Sequence, residues 1–185
     1  MIGDELVSAI SFGAFGTLAL VAAGLIGARR GRATRYVLWT ALILCLFVIA
    51  VVTLGSTVTS QFQGDRRLNL VPFQEIDRGL GARGSGAWDN LVGNIALFLP
   101  FGFVTACLVR GGFLIRVAAT FISGFVLSLS IEISQYVLGR VADVDDVLLN
   151  SAGALAGGLL GALLSVIVLS TRRGVPSGHV RSRRS

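Results

Sequence analysis

From Ile131 to Asn150 the chain reads IEISQYVLGRVADVDDVLLN, and the residues best suited to chemistry lie here. Glu132 sits inside an apolar run, and Arg140, Asp143, Asp145 and Asp146 crowd just after it. Ionisable groups in or beside a bilayer are costly, so their presence points to a function. Carboxylates in unlike surroundings can divide the roles of acid and base. Glu132, Asp143 and Asp146 are therefore the candidate catalytic residues. Acidic oxygens also suit a divalent cation. The chain offers no Ser/His/Asp set and no Cys/His pair, which argues against nucleophilic hydrolysis. The one histidine, His179, falls in an Arg-rich tail, and Cys45 and Cys107 lie in apolar runs. Neither a cofactor nor a protein-built metal site is expected.

Spacing gathers further polar residues around these acids. Asn90 and Asn94 are four apart and share one helical face. Ser128, Glu132 and Gln135 share another, as do Asp146, Asn150 and Gly153. Glu132 lies about 9 Å from the end of its helix at 1.5 Å per residue. Antiparallel neighbours would bring it level with Asn150, with Asn94 at the same depth. Arg140 can hold Glu132 through a bidentate pair, or Glu132 is carried neutral. The plain alternative is interhelical glue, worth about 0.6 kcal/mol per polar contact.

The elements that must position these residues are membrane spans. Of the 185 residues, 54% are hydrophobic and 14% charged, against about 25% charged in a soluble domain. Five stretches are long and apolar enough to span: Val7 to Ala28, Tyr36 to Val58, Leu91 to Val109, Phe113 to Leu138 and Val147 to Ser170. The predicted fold is an all-α bundle of five transmembrane helices over 1–170, followed by a disordered Arg-rich tail, 171–185. All 16 basic residues are Arg, set in short clusters between spans. That is a topology pattern, and it argues against a nucleic-acid partner. Eleven arginines fall on the side of the first link, third link and tail, and five on the other. The side with more arginines should be cytoplasmic, which leaves the N-terminus outside and the C-terminus inside. Nine of the ten acids then face outward, and the tenth is Glu132.

Three smaller features complete the reading. Pro100, inside the third span, is expected to kink it. Gly153, Gly157 and Gly161 form a small-residue stripe for close helix packing, within the chain or between copies as a homo-oligomer. GLGARG, 79–84, matches G-x-G-x-x-G but lacks the strand that gives that motif meaning, so it reads as a flexible loop.

The polar motifs resemble those of the VanZ-like family of bacterial integral membrane proteins. The matching positions are Asn69, Pro72 and Phe73 in LNLVPF, and Asn90, Asn94, Phe98, Pro100 and Gly102 around NIALFLPFG. Glu132, Gln135, Arg140, Asp143, Asp146, Asn150 and Gly153 follow in order. The likeness covers 68–161 and implies a multi-pass protein of the bacterial plasma membrane. The family's named member is associated with low-level resistance to teicoplanin, a lipophilic glycopeptide. The leading expectation is an outward-facing polar site that binds or modulates an envelope lipid, a lipid-linked wall precursor or a lipophilic glycopeptide. Asn69, Pro72, Phe73, Asn90, Asn94, Glu132, Gln135, Arg140, Asp143, Asp146 and Asn150 would form it, flanked by Phe73 and Trp88. A membrane-embedded acid/base or metal enzyme is the alternative, and a proton-coupled transporter the weaker one.

Overall fold

Inside hydrocarbon every backbone polar group must be satisfied within the protein, so long apolar stretches fold as helices. The computed structural model describes residues 2–59 and 68–173, with side chains placed over 14–55 and 68–171. Its elements in order are α1 (Ile2–Arg29), α2 (Ala33–Thr59), β1 (Leu68–Asn69), α3 (Gln74–Gly81), α4 (Gly86–Leu108), α5 (Phe113–Val137), β2 (Ala142–Asp143) and α6 (Val144–Arg173). Four stretches are long and apolar enough to cross a membrane: Ala33–Gly55, Gly86–Leu108, Phe113–Val137 and Val144–Thr171. In α1 the apolar stretch with placed side chains is Ala14–Arg29, which is shorter. The expected span from Val7 lies partly outside those residues. The tail beyond Arg173 lies outside the described residues altogether.

For two of the helices that start earlier than hydropathy suggests, the first turn explains why. α4 begins at Gly86 because the Ser85 hydroxyl accepts the Trp88 amide at 3.4 Å, occupying one of the unpaired first-turn donors. α6 begins at Val144 with Asp145 and Asp146 in its first turn, where negative charge suits the helix dipole. α4 continues through Pro100 to Leu108. Pro100 itself is exposed.

α1 and α2 form a hairpin at one side of the bundle. Its turn is tight: a Cβ on Gly27 would lie 2.6 Å from the Ala33 Cα, and Gly31 has φ +64°. α6 is the central helix, packed most extensively on α4 and then on α5. Lipid tails are as apolar as leucine, so helix association there depends on close packing. The glycine stripe supplies it. Gly153, Gly157 and Gly161 lie directly against the backbone carbonyls of Ile95, Leu99 and Phe103. Both rows advance by four residues, so α4 and α6 mesh backbone to backbone. The stripe is thus buried within the chain, and self-association through it would require α4 to be displaced. Ile49, Phe98, Phe101, Ile131 and Ala154, drawn from α2, α4, α5 and α6, make a buried cluster. Many other large apolar residues, Leu114 and Ile122 among them, are exposed, as suits a lipid-facing surface.

Over the acid-rich end lies a small cap. β1 pairs in parallel with β2, Leu68 opposite Ala142 and Asn69 opposite Asp143. The short helix α3 follows, then the turn into α4. GLGARG is therefore only partly loop. Gly79 to Gly81 complete α3, and Gly79 is buried because a Cβ there would meet the Ala87 carbonyl at 3.0 Å.

Candidate functional site

The acids at the start of α6 are divided among different partners. Asp143 accepts the Asn69 amide at 2.9 Å through one oxygen and the Asp145 N–H at 2.9 Å through the other. The first bond reinforces the β1–β2 pairing. The second is a local turn that starts the helix. Asp146 Oδ1 accepts both Asn90 at 2.9 Å and Asn94 at 2.7 Å. The i, i+4 pair on α4 thus grips a single oxygen on α6.

Asp145 did not stand out among the candidates in the sequence, and it is the most deeply placed of the three, with 0% exposure. Its oxygens accept the amides of Phe73 at 2.6 Å, Glu75 at 2.7 Å and Ile76 at 3.3 Å. These amides open α3, whose own N-cap, Phe73, offers no side-chain acceptor. Asp145 caps α3 from another helix. Phe73 adopts φ 70°, a conformation costly for a bulky side chain. The three bonds to Asp145 offset that strain. A sequence signal existed in the run of acids after Arg140, but nothing in it named a partner some seventy residues earlier.

Glu132 is 5% exposed, and its Oε2 accepts the Asp143 N–H at 2.8 Å. Gln135, which shares a helical face with Glu132, donates to the Thr53 carbonyl at 3.0 Å, tying α5 to α2. Asn150, 2% exposed, donates to the Ser128 hydroxyl at 2.9 Å. Its own Oδ1 is buried and accepts no hydrogen bond from any described residue.

Behind the cap is a polar cavity of about 190 Å³. Asn90, Asn94, Glu132, Gln135, Arg140, Asp146 and Asn150 line it, with Val52, Thr53, Ile131 and Val141. Seven of the eleven residues expected to bind therefore converge on one space. Asn69, Pro72, Phe73 and Asp143 do not line it. Asn69 and Asp143 hold the cap, Phe73 contributes its amide, and its ring is exposed, as is Pro72. Trp88 does not line the cavity either, and the Arg83 guanidinium lies 5.7 Å from its ring centroid. Of the described acids, Glu132 and Asp146 line the cavity, while Asp143 borders the groove beside it. Glu132 also borders this second, apolar groove of about 260 Å³, walled by Leu68, Leu70, Leu129, Ile133, Tyr136 and Val147 among others. One carboxylate is thus the shared wall of a polar and an apolar space.

A family model described as VanZ/LLP1 matches residues 37–166, well over half of the chain. It is the family that the motifs resemble. No curated protein and no solved structure matches the chain.

Proposed function

Since the chain belongs to the VanZ/LLP1 family, we propose that it is a multi-pass protein of the bacterial plasma membrane that binds an amphiphile of the cell envelope. The polar head enters the cavity behind the cap and the chain lies in the groove beside it. The observation that carries this reading is Glu132, which borders both spaces. A head group bearing hydroxyl or amide donors suits Asn150 Oδ1, a buried acceptor with no partner among the described residues. A buried polar atom of that kind is costly when unpaired. Arg140 supplies the complementary charge for a phosphate. Lipid-linked wall precursors and lipophilic glycopeptides both combine such a head with a long apolar chain. Five spans, with the N-terminus outside and the C-terminus inside, turn the cavity toward the envelope. The split of eleven arginines to five supports this orientation.

A second reading, acid/base catalysis on the same amphiphile, rests on Glu132 and Asp146 as the carboxylates that face the cavity. One experiment separates the two. Purified protein in nanodiscs is titrated with a short-chain lipid-linked wall precursor, and both binding and turnover are followed, with and without chelator. Saturable binding without product, weakened at least tenfold in Glu132→Gln and Asn150→Ala, is expected. Product formation would install the catalytic reading, and unsaturable partitioning equal in all variants would remove both.

A further inference from the structure

Away from the cavity, the opposite end of the bundle gathers positive charge without acids. No Asp or Glu occurs in 6–64, 90–131 or 147–185. These stretches supply the far end: the α1–α2 turn, the start of α2, the α4–α5 turn and the end of α6. Arg116 is 6% exposed there. Its Nε donates to the Gly111 carbonyl at 3.0 Å and its Nη1 to the Ala106 carbonyl at 2.6 Å. These bonds use two of the five N–H donors of a guanidinium. Carbonyls at the end of α4 offer only the partial charge of a helix terminus, and a buried full charge calls for a counter-ion. No described carboxylate pairs with it; its described partners are the two carbonyls.

Arg116 and Arg110 both line two adjoining spaces. One, of about 250 Å³, is also bordered by Arg35 and Trp39. The other, of about 710 Å³, is bordered by Gly111 and Gly112. The walls are apolar, with Leu38 and Leu108 in one and Val166 and Leu169 in the other. The whole lies where the spans of α2, α4 and α5 begin or end, which is head-group depth in a bilayer.

We propose that this cleft binds the phosphate head group of an anionic phospholipid, held by Arg35, Arg110 and Arg116. Basic pockets between helices at a membrane surface suit such lipids. The site is separate from the polar cavity and does not depend on what that cavity binds. Native mass spectrometry of detergent-purified protein offered equal phosphatidylglycerol and phosphatidylcholine tests it. The parent is expected to retain phosphatidylglycerol preferentially. Each surface arginine contributes roughly fivefold, so Arg35→Gln/Arg110→Gln should lower the preference on the order of twentyfold. Both residues are exposed, so this variant avoids the folding risk of replacing Arg116. Arg78→Gln/Arg83→Gln, at the other end, should leave the preference intact. Equal retention of the two lipids by the parent would overturn the proposal. An equal loss in the two double variants, or displacement of the lipid by millimolar inorganic phosphate, would do the same.

Discussion

Glu132 accepts one backbone amide and borders two spaces of opposite polarity. Glu132→Gln keeps the volume and an oxygen for the Asp143 amide, so the fold should persist. What it removes is the capacity to ionise. The expected result is a protein of parental abundance and thermal stability that has lost its envelope phenotype, with sensitivity to lipophilic glycopeptide measured first. A fully active variant would take Glu132 out of the site. Asp145 makes the opposite case, because its three bonds go to backbone and none to the cavity. Asp145→Ala leaves three part-buried amides without their acceptor, each costing about 1 kcal/mol, the low end for an unsatisfied donor. Thermal unfolding in detergent should show a loss of about 3 kcal/mol, and limited proteolysis should cut within 68–85. Asp145→Asn, which can accept but not with full charge, should fall between.

At the scale of elements, the α4–α6 contact sets the depth at which Asn90, Asn94, Asp146 and Asn150 meet. A Cβ on Gly157 would strike the Leu99 carbonyl and lie 2.8 Å from the Phe103 amide. Gly157→Ala should therefore already destabilise, and Gly157→Leu should cost about 3 kcal/mol or more, since overpacked helices must separate. A Leu variant that melts with the parent would place the stripe against lipid instead. Much of this was legible in the sequence. Apolar length gave the helices of α2, α4, α5 and α6, and four-residue spacing gave the asparagine face and the glycine row. The cap was not legible. β1 and β2 are two residues each, too short for any periodicity. α3 is capped by a carboxylate on another helix; its own residues offer the first-turn acids Glu75 and Asp77 but no capping side chain at Phe73. Gln135 was placed on the correct face, but a side chain that long can reach α2 as easily as its neighbour on α5.

For the whole molecule, the proposed orientation is open to a direct check. With Cys45 and Cys107 replaced, a membrane-impermeant thiol reagent applied to cells should label Ala82→Cys, beside the cap. It should leave Gly112→Cys, at the α4–α5 turn, unmodified. Both positions are exposed within the protein, and labelling of Gly112→Cys once the cells are permeabilised would separate sidedness from shielding by lipid. The reverse pattern would turn the cavity toward the cytoplasm and remove an envelope ligand from consideration.

The bond from Asp145 to Phe73 spans 72 residues, and the chain is made in order. The segment that forms the cap leaves the ribosome well before the acid that holds it. At roughly 5–20 residues per second the wait is about 4–14 s. During that interval nothing holds Phe73 in its left-handed conformation, and α3 has no cap. The start of α6 therefore acts as a latch that closes last. A chain ended at residue 140 lacks β2 and the central helix α6 as well as Asp145, and its cap would stay open. It should be clipped within 68–85 by proteases that spare the full-length protein, which makes cap protection a readout of completed assembly.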